Sequence, residues 1–237
     1  MTAWKPKRFW KNVTVLALDG GFVVMLDTRQ VKTPGKQVLV LPTHALAEAV
    51  AAEWDAQQGL VRPATMPFTR TANSALEKVA PQFDEVVGLL AAYGASDLLC
   101  YRATGPAALI ARQAAAWDPL LAWAATDLAA PLVKTSGIVP VAQPPASVAR
   151  LQALTAAMTS FHIAAFHDLV SLSGSLVLAF AVVHGRLGPA EAWSISRIDE
   201  TYQIEQWGAD EEAAALTETK RLAFHQAAAF WAALAPK

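Results

Sequence analysis

Five histidines (44, 162, 167, 184 and 225), one cysteine and a scatter of carboxylates are the groups in this chain that could do acid–base, nucleophilic or metal chemistry. Catalysis needs such groups together, and their spacing does not bring them together. His162 and His167 stand five apart, which on a helix of 3.6 residues per turn sends them to different faces, so a shared metal is not expected. Cys100 has no histidine beside it in sequence, and a nucleophilic thiol needs a base to take its proton. Glu48, Glu53 and Asp55 fall in one helical stretch, where acids commonly form a solvated face. The patterns G-x-x-x-x-G-K-[ST], G-x-G-x-x-G and G-x-S-x-G are absent, so neither a phosphate cradle nor a nucleophile elbow is indicated. The expectation is a non-enzyme with no catalytic residue, metal or cofactor.

One stretch combines charge and aromatic rings at helical spacing: PAEAWSISRIDETYQIEQWG, from Pro189 to Gly208. Pro189 suits a first helical turn and Gly208 a helix stop. Read as one helix, it puts Trp193, Arg197, Glu200, Ile204 and Trp207 on one face and Ile195, Ile198 and Tyr202 on the opposite one. Arg197 and Glu200 are spaced for an i, i+3 ion pair. Two apolar stripes leave two readings open. The helix is either covered on both sides with its charges paired locally, or it keeps one face for a partner, with aromatic anchors around a charged centre.

The elements that would position this stretch can be read in order. VTVLAL (13–18) and FVVMLD (22–27) flank Asp19-Gly20-Gly21, a hairpin signal. VLVL (38–41) reads as a third strand stopped by Pro42. Thr43 can cap a helix running to Gln57, with Leu46, Ala47, Val50 and Trp54 towards the sheet. The proline-bearing segment 62–69 reads as a crossing between domains. From Met66 onward no strand is expected; helices are expected over 69–79, 81–94, 106–130, 146–166, 168–183, 189–208 and 210–234. The fold class is therefore α+β. A small sandwich of antiparallel strands plus helix spans 1–65, and a larger irregular or orthogonal helical bundle spans 66–237. Trp54, Trp117 and Trp123 are expected in the core.

Composition narrows the function classes. Of 237 residues 54% are hydrophobic and 16% charged, with a net charge of −1, so a nucleic-acid partner is not expected. Leu169 to Val183 carries no charge but is too short to span a bilayer, which needs about 20 apolar residues. A membrane-peripheral role would require Leu176 and Phe180 to be exposed. The basic cluster Lys5, Lys7, Arg8 and Lys11, interleaved with Trp4, Phe9 and Trp10, reads as a solvated arm. A single cysteine fits a reducing compartment, and no secretory signal or organelle presequence is apparent, so a cytoplasmic location is expected.

A further signal lies in words that occur in a fixed order: KRFWKNV (7–13), LDTRQVKTPG (26–35), LAEAVAAEWDAQ (46–57), TMPFTRTANSA (65–75), SDLLCYRA (96–103), QAAAWDPLLAW (113–123) and RIDETYQIEQWG (197–208). Together they resemble the F1-ATPase assembly chaperones that escort the alpha subunit, known from mitochondria and bacteria; this chain is similar to the bacterial members. The run after Arg197 is often richer in glutamate in that family and reads Asp199, Glu200, Thr201 here. The resemblance implies two domains, no catalysis, and binding of newly made F1 alpha subunit over the surface that later meets beta. It also implies a monomer when free, acting in the bacterial cytoplasm or, for eukaryotic relatives, the mitochondrial matrix. On that basis Arg197, Asp199, Glu200, Glu205 and Trp207 are the candidate partner-binding residues, Glu200 first among them. Eight tryptophans suit a recognition protein. The competing reading is an enzyme or small-molecule binder using a groove between the domains near Arg62, Thr69 and Arg70.

Overall fold

The structure, a computed structural model, describes residues 7–235; Trp4 and Lys5 of the basic cluster lie outside them. β1 (Val13–Leu18) and β2 (Gly21–Leu26) pair antiparallel, Val13 opposite Leu26 and Leu18 opposite Gly21. Gly21 has no room for a side chain: a Cβ there would lie 2.4 Å from the Leu41 carbonyl oxygen. β3 is only Arg29–Gln30, antiparallel to β2. The third strand expected at 38–41 does not form. Its backbone divides its hydrogen bonds between two partners, Leu41 exchanging two with Phe22 and Leu39 donating one to Val31, so it runs along neither. Pro42 then removes the next donor.

α1 (His44–Asp55) starts where the Thr43 hydroxyl accepts the Leu46 N–H at 3.2 Å and buries Leu46, Ala47 and Val50. Phe22 meets His44 edge to face at 5.3 Å, so this helix covers the Phe22 side of the sheet. Trp54 is half-buried, stacked edge-on against a buried Trp10 at 5.3 Å. α2 (Pro67–Ser74) has its first turn capped from α1. The Glu53 carboxylate accepts the Phe68 N–H (2.6 Å), the Thr69 N–H (2.8 Å) and the Thr69 hydroxyl (2.7 Å). Burial pushes the Glu53 carboxyl up, and these donors pull against it. Arg8 is no solvated arm residue. Its guanidinium donates to the backbone carbonyls of Trp10, Lys11, Asp55 and Gln57 and to the Asp55 carboxylate, pinning the start of the described chain to the end of α1.

The chain continues through α3 (Phe83–Ala92), β4 (Tyr101–Arg102), α4 (Ala107–Thr126), β5 (Thr135–Ser136), α5 (Pro145–Ala156) and α6 (Ser160–Ser173). It ends with α7 (Leu176–Val183), α8 (Pro189–Ser196), α9 (Ile198–Trp207) and α10 (Glu211–Ala233). β4 and β5 pair in parallel, which corrects the expectation of no strand after Met66; two-residue strands are too short for any alternation to register. The helix expected over 168–183 breaks at Gly174, which takes a φ of 73°, a left-handed conformation that suits glycine. The Ser175 hydroxyl then caps α7 by accepting the Leu178 N–H at 3.0 Å. The helix expected over 146–166 likewise ends at Ala156, and α6 begins at Ser160.

The described residues form two compact units, one of 7–82 with 160–165 and 229–235, the other of 83–159 with 166–228. The architecture is α+β: a small antiparallel sheet with helices in the first, helices with one short parallel pair in the second. Trp117 is fully buried, and Trp193 is buried with it, while Trp123 is half-buried. Leu176 and Phe180 are also buried, which removes the membrane-peripheral reading that needed them exposed. No helix among the described residues is long and apolar enough to cross a membrane.

Candidate partner-binding site

The stretch that reads as one helix is two, α8 and α9, separated at Arg197 with φ −111° and ψ 18°. The cause is competition for carbonyls at the end of α8. Ser196 is buried, and its hydroxyl donates to the Trp193 carbonyl at 2.7 Å. The Trp117 indole N–H, from α4, takes the Ile195 carbonyl at 3.0 Å. The Arg197 Nε donates to the Ser196 carbonyl at 3.0 Å. The acceptors that a continuous helix would offer to its next turn are thus occupied by side chains, and the backbone turns away.

The break sends the two halves to different environments. Trp193 enters the core of its unit, 5.6 Å from Phe224, with the Arg197 guanidinium 5.2 Å over its ring. On α9 itself the helical arithmetic still holds: Ile198, Tyr202 and Glu205 share one face, and Glu200, Ile204 and Trp207 share the other. The first face is held by α4. Arg112 stacks 5.3 Å from the Tyr202 ring and pairs with Glu205 at 2.7 Å. Beside it the Gln113 amide donates to Asp199 at 2.6 Å, while its oxygen accepts the Ala103 N–H at 2.8 Å. The second face is uncovered. Ile204 is 49% and Trp207 80% exposed, and no residue of α9 is buried.

The five candidate residues therefore divide. Glu200 and Trp207 lie on the open face, and Arg197 holds Glu200 in an ion pair at 2.9 Å. Asp199 and Glu205 engage α4 and set the angle at which α9 stands. A shallow groove of about 330 Å³ lies alongside, lined by Arg112, Trp193, Arg197, Thr201 and Thr217 among others. Thr201 of α9 and Thr217 of α10 both line it. Arg112 and Gln113 were missed from sequence. Nothing in AALIARQAAAW marks them, since their role appears only when α4 meets α9.

The remaining reactive groups are placed apart. Among the described residues no three His, Cys, Asp or Glu side chains come close enough to hold a metal ion. Thr69 is occupied by Glu53, and the Arg62 N–H by the Gln57 amide oxygen at 2.8 Å. Cys100 is buried, and its thiol is pushed up to about 12 by burial and by the negative Asp97 nearby. A thiol so held is not a nucleophile at neutral pH. Native protein should therefore leave an aromatic disulfide reagent unreacted over hours, and denatured protein should release one equivalent of thiolate at once; rapid labelling of the native chain would contradict the burial.

The same architecture occurs elsewhere. A family model described as ATP12 chaperone protein matches residues 7–125. The chain belongs to the ATP12 chaperone family. That bears out the resemblance carried by the ordered words. The chain is 25% identical over 219 residues to the mitochondrial protein atp12 of Schizosaccharomyces pombe, a match covering 87% of this chain and 75% of the relative. It is similar to the crystal structure of Atp12 from Paracoccus denitrificans, with a TM-score of 0.94 at 50% identity over 97% of this chain and 98% of that one. An aspartate-to-lysine mutant of the Paracoccus protein gives a TM-score of 0.95 at 49% identity with the same coverage, 97% and 98%. The Atu1473 protein of Agrobacterium tumefaciens gives 0.92 at 40% identity over 98% and 87%. The family model ends before α8, so the open face of α9 is outside the span that it matches.

Proposed function

We propose that this member of the ATP12 family is a chaperone for assembly of the F1 sector of ATP synthase. It binds the unassembled alpha subunit, shields the surface that will meet beta, and leaves when beta arrives. An unpaired subunit exposes a large apolar interface, and such patches aggregate. The observation that carries this reading is the uncovered face of α9, where Trp207 is 80% exposed beside a charged pair. In this reading Glu200 and Trp207 touch the partner, Arg197 orients Glu200, and Asp199 and Glu205 hold α9 on α4. The protein acts without catalysis, as a monomer, in a reducing cytoplasmic compartment.

The test is co-expression with the alpha subunit of the same organism, with pull-down and a light-scattering assay of alpha aggregation; beta serves as parallel bait. Selective capture of alpha with suppressed aggregation is the expected result, and capture of neither subunit overturns the proposal. Glu200→Lys should weaken capture about tenfold, a typical cost of placing a like charge in a complementary rim. The fold should survive, because the Glu200 side chain is half exposed. Unfolding of this variant would make Glu200 a structural ion-pair member instead.

A further inference from the structure

Resting on the function just proposed, we infer that docking is carried by the exposed apolar side chains of Ile204 and Trp207 on α9, which seat in an apolar pocket of the folded alpha subunit rimmed by lysine and arginine. Trp207 is 80% and Ile204 49% exposed. Ile204 and Trp207 stand one turn apart on α9. Single exposed apolar residues are ordinary, but an adjoining pair led by a tryptophan has the composition of an interface anchor.

Charge selects the occupant. Asp199, Glu200, Glu205, Asp210, Glu211 and Glu212 fall within fourteen residues that include no lysine or arginine. Asp199 and Glu205 are engaged by α4 and Glu200 by Arg197. Asp210 caps α10 by accepting the Ala213 N–H at 2.7 Å. Glu211 and Glu212 have no ion-pair partner among the described residues, so the turn between α9 and α10 presents unneutralised negative charge beside Trp207. A second copy of this chain would oppose acid to acid. A bilayer surface carrying anionic lipid would be repelled in the same way. A folded protein surface with basic groups around an apolar pocket satisfies both parts of the patch.

The experiment measures binding of purified alpha subunit to four proteins: wild type, Trp207→Ala, the double variant Glu211→Lys/Glu212→Lys, and Glu48→Lys as an exposed charge reversal remote in sequence. Each is measured at about 50 and about 300 mM salt, across which screening of exposed charges rises steeply. Trp207→Ala should weaken binding about 30-fold at both salt concentrations, as loss of an interface anchor does. The double variant should weaken it about tenfold at low salt and remove most of the salt dependence, and Glu48→Lys should change nothing. Circular dichroism of all variants should match wild type, because the replaced residues are exposed, and only the double variant should melt slightly lower, because it removes acids from the positive end of α10. Tight binding by wild type and equally tight binding by both patch variants would overturn this inference while leaving the chaperone function intact. Wild type that does not bind alpha would overturn both. Wild-type binding to phosphatidylserine vesicles, or self-association abolished by Trp207→Ala, would assign the patch to a membrane or to a second copy and overturn the pocket.

Discussion

Replacing Trp117 with alanine should lower the stability of the second unit by about 3–5 kcal/mol, the usual cost of emptying a fully buried aromatic site. Three separate losses contribute. The side chain is completely buried, so its removal leaves a cavity that a packed interior refills only in part. The Ile195 carbonyl loses the indole N–H that it accepts at 3.0 Å. The Arg102 guanidinium, 5.3 Å from the ring and paired with Asp118 at 2.7 Å, loses the aromatic surface beneath it. Trp117→Phe keeps one aromatic ring but loses the N–H and the volume of the second ring, and should cost about 2–3 kcal/mol, less than alanine. Urea unfolding of the two variants checks the magnitudes. Amide exchange adds a readout specific to the site, because the Ile195 contact is part of what ends α8 at Arg197. Both variants should speed exchange along α8 and α9 more than along α3 and α5. Uniform acceleration would mean that Trp117 is a core residue with no role in setting the helix break.

That contact shows where sequence reading stops. The hairpin was legible because Asp19, Gly20 and Gly21 state their turn locally, and the cap at Thr43 was legible for the same reason. The break at Arg197 was not, since one of the carbonyls involved is taken by an indole 78 positions away in sequence. Helical arithmetic from Trp193 to Trp207 therefore joined two helices into one. Within α9 the same arithmetic did separate Tyr202 from Glu200, Ile204 and Trp207. It could not say which side would be covered, because the covering residues Arg112 and Gln113 come from α4. The acids beside Glu200 illustrate the same limit. Asp199 and Glu205 read as members of one charged centre, yet both turn towards α4. Strand 38–41 failed for a related reason: its apolar run suits a strand, and only the tertiary fold divides its hydrogen bonds between Phe22 and Val31.

Asp97 supports the second large effect, and it concerns a group with no marked signal in sequence. Its carboxylate is fully buried and accepts the Leu99 N–H at 3.0 Å, the Val177 N–H at 2.9 Å and the Ser175 hydroxyl at 2.7 Å. It thereby joins the turn before β4 to the first turn of α7, where negative charge also suits the helix dipole. Asp97→Ala should cost about 3 kcal/mol, roughly one for each donor left unpaired in the interior. Asp97→Asn keeps one acceptor oxygen and should cost less. Titration distinguishes the charge from the hydrogen bonds. Burial raises the Asp97 carboxyl above its ordinary value of 3.8, with the three donors opposing. The folded state then holds this proton more tightly than the unfolded state does, so this group's contribution to stability falls as pH rises from the ordinary carboxylate range through the raised folded value. Wild type should therefore gain stability relative to Asp97→Asn as pH is lowered through the raised folded value towards 3.8, and the difference between them should be constant above that window, where the carboxyl is ionised in both states. A wild-type-minus-Asn difference that does not change with pH would show that the donors cancel the effect of burial, and one that changes in the opposite sense would show that the donors outweigh it.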